Sequence, residues 1–347
     1  MSVVTVLGPV EARDLGITLP HEHLFLDLTC EFRESADEAG RRRTCEPVGP
    51  GNIEALALNP YLVRDNLLLE DADTAVEELG WFRAAGGRTV VDCTSVGAGR
   101  APLRLREVAE RTGLHVVAGS GYYLHETHPP QMAEWTPEEI AAEIVRDLVH
   151  GIGETGVNAG VIGEIGTGDP IHPGEVKSLR AAGLAHEQTG APLQIHTYPW
   201  GQTGLEILNM LDDYSVDPAR VVICHTDVAP DLHYMRLLLE RGAIVEFDDF
   251  GKEFPVDPAE SEFAGGPFAT DAERVRVLAQ LVEWGFERQI LITNDICLKQ
   301  MLHRYGGRGY DHILANVVPS LEAAGMGREL IEGFLVGNPA RWLDPDS

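Results

Sequence analysis

Short β-branched apolar runs alternate with amphipathic helical patterns from residue 17 to the end of the chain. This alternation restricts the fold to a largely parallel sheet with helices packed on it. Eight runs read as strands: 17–27, 88–94, 115–120, 160–165, 192–197, 220–226, 242–249 and 289–295. Between them, segments such as "TPEEIAAEIVRDLVHG" and "DAERVRVLAQLVEWG" have helical spacing, and several end at glycine, the residue that best ends a helix. Eight βα units in 347 residues predict a single α/β domain over 1–347, a (β/α)8 TIM barrel. An open doubly wound sheet is the competing arrangement, but no GxGxxG follows the first strand. Two long excursions, 28–70 and 250–270, follow the first and seventh strands, so both belong at the C-terminal face, where barrel enzymes work.

Metal-capable side chains collect at that same face. "LPHEHLFLD" places His21 and His23 two residues apart, so a strand points both imidazoles one way and Glu22 the other. Glu164 ends the fourth strand, His196 the fifth, His225 the sixth and Asp295 the eighth. A single histidine at a strand end is ordinarily a hydrogen-bonded structural residue. Two adjacent buried imidazoles without partners would cost ~1–3 kcal/mol each. Four histidines and two carboxylates suit two divalent ions, zinc first, with manganese, cobalt or iron as alternatives, and disfavour calcium or a thiolate-loving ion. His21, His23 and Asp295 would hold one ion, His196 and His225 the other, and Glu164 would bridge them.

Composition removes other functions. Fifty-five acidic against 27 basic residues give a formal charge of −28, which excludes a polynucleotide partner, since phosphate backbones demand basic surface. No apolar run approaches the roughly 18 residues of a membrane span, so no membrane partner is expected either. The opening "MSVVTVLGPVEARDLG" lacks the layout of a secretory signal, and five cysteines without CxxC spacing fit a reduced compartment, so the expected location is the cytoplasm. GxSxG is absent, so no serine nucleophile of that type is expected. The chemistry then expected is attack of a metal-bridged hydroxide on a small carbonyl or phosphoryl compound, with Asp295 taking the proton. Around that centre Tyr122 and Trp200 are expected to line the pocket, and Lys252, Arg304 and Arg308 to recognise an anionic group on the substrate.

The chain resembles the phosphotriesterase family of the amidohydrolase superfamily in "LGITLPHEHLFLD", "GGRTVVDCTSVGAGR", "VIGEIGT", "QIHT", "VVICHTDV", "ITNDICLK", "RYGGRGYDHI" and "GNPARWL". The resemblance implies that His21, His23 and Asp295 hold the more buried of two metals, that His196 and His225 hold the more exposed one, and that a homodimer forms. It implies that Tyr123 contacts a lactone, and puts Asp249 where related lactonases carry an arginine. The best-known members bridge their metals with a carboxylated lysine. Glu164 at that place resembles the branch called phosphotriesterase-related or homology proteins. The expected activity is hydrolysis of a small carboxylic ester or lactone. An N-acyl amide is the neighbouring possibility, phosphotriester hydrolysis a weak side activity, and a non-catalytic ligand-binding barrel the alternative of another class.

Overall fold

The computed structural model describes residues 2–32, 44–258, 261 and 263–344. Its strands are β1 (Ser2–Thr5), β2 (Gly8–Glu11), β3 (Thr18–Glu22), β4 (Leu26–Asp27), β5 (Leu68–Leu69), β6 (Thr89–Asp92), β7 (His115–Ser120), β8 (Val161–Gly166), β9 (Leu193–His196), β10 (Val221–Ile223), β11 (Ile244–Phe247) and β12 (Ile290–Ile292). Eight of them form one sheet in the order β12, β11, β10, β9, β8, β7, β6, β3. Each strand in it lies parallel to its neighbours in the chain. A doubly wound sheet would reverse this order midway, so the barrel expectation holds.

Side chains close the seam between β12 and β3. The Glu22 carboxylate accepts from the Thr293 hydroxyl at 2.6 Å, from the Asn294 amide at 3.0 Å and from the Ile296 amide at 2.8 Å. The Thr293 hydroxyl also lies 3.0 Å from the His21 carbonyl. Glu22, pointing away from the two histidines, is therefore the closing clasp of the barrel.

Helices cover the outside, and their ends follow the sequence. Thr136 and Thr270 each form a reciprocal capping box, opening Pro137–Val149 and Asp271–Glu283, while Gly113 and Gly190 close Pro102–Thr112 and Pro173–Thr189 in the left-handed conformation. No helix among the described residues is long and apolar enough to cross a membrane.

Strand alternation divides the core. Val90, Val116, Ile162, Ile195, Val245 and Ile292 face the helices. Val91, Val117, Val161, Val222 and Leu291 fill the lower barrel interior, where Val3, Leu15 and Trp342 plug its base. The late "NPARW" segment secures that plug: Asn338 donates to the Glu287 and Ile290 carbonyls at 2.8 and 2.6 Å, and buried Arg220 donates to the Trp342 carbonyl.

The strands are shorter than the apolar runs. The 17–27 run splits into β3 and β4 because the Asp92 carboxylate accepts from the Leu24 amide at 2.7 Å and takes it out of the ladder. Sheet pairing stops before His225 and Asn294 for a similar reason. Their amides bond to the carboxylates of Asp248 and Glu22. The 28–70 excursion is tied at its base by the antiparallel β4–β5 pair and contains a short helix, Ile53–Leu58; its residues 33–43 lie outside the described residues. Residues 259, 260 and 262 of the second excursion also lie outside them.

Trp342 is 1% exposed. Trp342→Ala is expected to lower stability by about 3–5 kcal/mol in urea unfolding at fixed metal content. A cost under about 1 kcal/mol would show that the base of the barrel is not closed by this side chain.

Candidate metal centre

Above the apolar plug the barrel interior turns polar in two steps. The first is a support layer. Gln194 donates to the Glu246 carboxylate at 3.0 Å, and the same carboxylate lies 3.0 Å from His21 Nδ1. Burial pushes the Glu246 carboxyl up, opposed by the hydrogen bond and charge of His21. The second layer holds the six residues singled out in the sequence.

Each imidazole of that layer except His196 is oriented by its Nδ1. His21 uses Glu246, His23 lies 2.8 Å from the Thr94 hydroxyl, and His225 lies 3.2 Å from the Asp248 carboxylate. This leaves the Nε2 atoms of His21 and His23 facing Asp295 Oδ1 at 3.6 and 3.1 Å. Across the centre His196 Nδ1 and His225 Nε2 are 2.9 Å apart, and both reach Glu164 Oε1, at 2.7 and 3.2 Å. Glu164 also faces His21 and His23, at 3.7 and 3.8 Å. Burial opposes its charge, yet the charge and hydrogen bonds of His196 and the hydrogen bond of His225 hold the carboxyl well below its usual range.

Two backbone features aim these ligands. The β8–β9 register shifts between Ile162 and Ile165, so Glu164, which strict alternation would put on the outer face with Ile162, turns to the barrel axis. Gly163 permits this with φ +144°, and a Cβ there would lie 2.5 Å from the Gln194 carbonyl oxygen. His225 and Asp295 have φ of +59° and +45°, a region that costs a non-glycine residue energy and is retained where the side chain must face one way.

The donor set fits divalent ions. His21 Nε2 and Asp295 Oδ1 are fully buried with no hydrogen-bond partner, a costly condition that an ion between them removes. The ligand atoms of His21, Glu164 and His225 lie within 4.8 Å of one another, as do those of His225, Asp249 and Asp295. Histidines fixed through one nitrogen by carboxylate or hydroxyl partners, with the other nitrogen free, are the ordinary support of a metal site.

A pocket of about 550 Å³ opens on this layer. Tyr123 lines it, with its ring 4.9 Å from that of His196, and Lys252 lines it as well. The other substrate-side expectations are corrected. Tyr122 is turned into the packing, edge-on to His128, and Trp200 sits behind the wall, where it supports Phe263 and Phe268. Arg304 is half exposed beside Glu77, and Arg308 pairs with Glu253 and Asp271; neither reaches the pocket. Arg304 lies within the 3-10 turn His303–Tyr305 and Arg308 in the irregular segment after it, whose directions sequence spacing does not specify. The wall that sequence reasoning missed is apolar: Leu26, Leu28, Tyr61, Phe254, Phe263, Phe268 and Leu298. Their one sequence signal was membership of, or adjacency to, the two excursions and the strand-end turns.

Comparison with known proteins agrees with this geometry. The family model described as Phosphotriesterase family matches residues 1–343. N-acetyltaurine hydrolases of Danio rerio and Homo sapiens are 35% and 34% identical to the chain, each alignment covering 98% of it and 97% of the relative. Among solved structures, a resiniferatoxin-binding protein from Rhodobacter sphaeroides superposes with a TM-score of 0.95 at 34% identity, covering 99% of this chain and 95% of that one. The phosphotriesterase homology protein of Escherichia coli, with phosphate in its active site, gives 0.78 at 29% identity, over 95% of this chain and 99% of that one. A lactonase from Listeria monocytogenes gives 0.77 at 26% identity, over 99% of both.

Metal analysis of purified protein loaded with zinc is expected to find two equivalents per chain. Glu164→Ala should retain at most one, with an unchanged far-ultraviolet circular dichroism spectrum. Two equivalents held by Glu164→Ala would remove Glu164 from the centre.

Proposed function

The chain belongs to the phosphotriesterase family and is a metal-dependent hydrolase; on that premise we propose that it cleaves the acyl carbon–nitrogen bond of a small N-acyl amine. The observation that carries the chemistry is the pair of buried atoms without a hydrogen bond, His21 Nε2 and Asp295 Oδ1, within one ring of six ligand-type side chains. The choice of bond is supported by the N-acetyltaurine hydrolases, which match at higher identity than the lactonase does. The reading of an ester or lactone, which the sequence put first, becomes the second, favoured by that lactonase and by the apolar wall.

In this reading His21, His23 and Asp295 would hold one divalent ion, zinc first, and His196 and His225 the other, with Glu164 as a further carboxylate ligand of the centre. Divalent ions in such a site supply Lewis acidity toward a carbonyl oxygen and acidify a water toward a pKa of about 7. The side chains do the rest. Asp295, held down to about 2 by Lys252 and His21 against the upward push of burial, is ionised at working pH and accepts the proton of the attacking water. It returns that proton to the leaving nitrogen as the carbon–nitrogen bond breaks, so that acid and amine are released. Burial holds the Tyr123 phenol well above its usual range, so its hydroxyl keeps a proton to donate to the acyl group. Pro199, Phe254, Phe263 and Phe268 exclude water and receive the apolar part of the substrate.

A panel of N-acyl amines, lactones, esters and phosphotriesters tests the assignment with zinc-loaded protein. The highest kcat/KM is expected on an N-acyl amine, and Asp295→Asn should lower kcat on it by roughly 10²–10⁴-fold. A lactone or ester turned over faster than every amide would promote the second reading. A paraoxon rate matching the best carbonyl substrate would overturn both.

A further inference from the structure

Lys252 is buried to 4% exposure, and its ammonium is fixed between two carboxylates, Asp249 Oδ1 at 2.9 Å and Asp295 Oδ2 in direct contact. An ammonium out of water is tolerated only when paired this way. An anionic substrate group arriving at Lys252 would meet both carboxylates already in place, so the recognition role expected from the sequence does not fit the geometry.

The segment carrying Lys252 is immobilised from outside. Fully buried Arg274 donates to the Lys252 carbonyl at 3.1 Å and pairs with Asp227 at 2.9 Å. Asp227 in turn accepts from the Asp248 and Asp249 amides, each at 3.2 Å. Asp271 accepts from the Gly251 amide at 2.8 Å. Gly251 has φ +90°, where a side chain would be strained and where a Cβ would lie 3.1 Å from the His312 ring. Lys252 is thus a strut with both ends held.

What the strut touches is the carboxylate the reaction uses. A free aspartate carboxylate turns about its last torsion with little preference. Here Oδ2 is occupied by the ammonium, while Oδ1 has no hydrogen bond and faces the Nε2 atoms of His23 and His21. We propose that Lys252 is a positioning residue: clamped by Asp249 and Arg274, it holds Oδ2 of Asp295 so that Oδ1 alone is presented to the histidine pair and its metal. The proposal rests on the reading of Asp295 as a metal ligand and as the proton acceptor.

Full-length protein loaded with Co2+ tests it, because the visible Co2+ spectrum reports the ligand set without any substrate. Lys252→Met is expected to change that spectrum and to weaken Co2+ binding at one of the two sites by about ten-fold or more, with Lys252→Arg recovering most of both. On the best substrate of the panel, kcat of Lys252→Met should fall about 100-fold while KM moves less than about three-fold. If Lys252→Met does not fold, Lys252→Gln is measured, with the same outcomes expected. A wild-type spectrum and Co2+ affinity in the neutral variant overturn the proposal, as does a KM raised about ten-fold with kcat retained, which would make Lys252 a substrate contact. Wild-type protein that takes up no Co2+ overturns the hydrolase reading and this proposal with it. Uptake by wild type with an unchanged neutral variant overturns this proposal alone.

Discussion

Buried negative charge governs the upper half of this barrel. Glu22, Asp92, Glu164, Asp227, Glu246, Asp248, Asp249 and Asp295 all lie at or above the strand ends with 4% exposure or less. A carboxylate out of water must be protonated, paired or hydrogen-bonded, and the site supplies pairs and hydrogen bonds. Glu22 is met by backbone amides at the seam, Asp227 by Arg274, and Asp249 and Asp295 by Lys252. Glu246, whose carboxyl burial pushes upward, is met by Gln194 and by His21. The partners of the Glu164 carboxylate among the described residues are imidazoles, at 2.7 to 3.8 Å. The centre gathers more carboxylates than its own lysine and arginine pair, a surplus that divalent cations would meet.

The same carboxylates end the strands. Asp92, Asp248 and Glu22 take the amides of Leu24, His225 and Asn294 away from sheet pairing. The backbone beyond those points no longer follows the pleat, and His225 and Asp295 take up positive φ there. Ligand convergence and strand termination thus have one cause. The apolar lower interior, Val91, Val117, Val161, Val222 and Leu291 over Trp342, is the rigid base against which this polar layer is set.

Much of this was legible in the sequence, because period two and the βα repeat are strong local signals. All eight barrel strands fall within the runs read from the sequence, apart from one further residue, Gly166, at the end of β8. The six ligand-type residues meet in one layer. Glu164 was legible by its place at a strand end, although its inward direction depends on a register shift that no local pattern encodes. The apolar wall was not legible: Tyr61, Phe254, Phe263 and Phe268 lie in irregular segments, where spacing carries no direction. Arg304 and Arg308, expected at an anionic substrate group, lie instead beside Glu77 and between Glu253 and Asp271, a direction that their turn does not encode. Lys252 was found, but not its partners, since pairing with Asp249 and Asp295 is set by tertiary packing.

Division between strand ends and excursions also separates reaction from specificity. The residues proposed for water activation and proton transfer are fixed by the barrel and cannot shift without disturbing the contacts around Glu164 and Asp295. The pocket beside them is walled by Tyr61 from the first excursion and by Phe254, Phe263 and Phe268 from the second. Excursions tolerate replacement far better than strand ends do. A barrel built this way can move between amide and lactone substrates by exchanging wall residues while all six ligands stay, which fits the presence of hydrolases of both kinds among its relatives. On the proposed reading the ligand set would fix the chemistry, and the aromatic wall, anchored from behind by Trp200, would select the substrate.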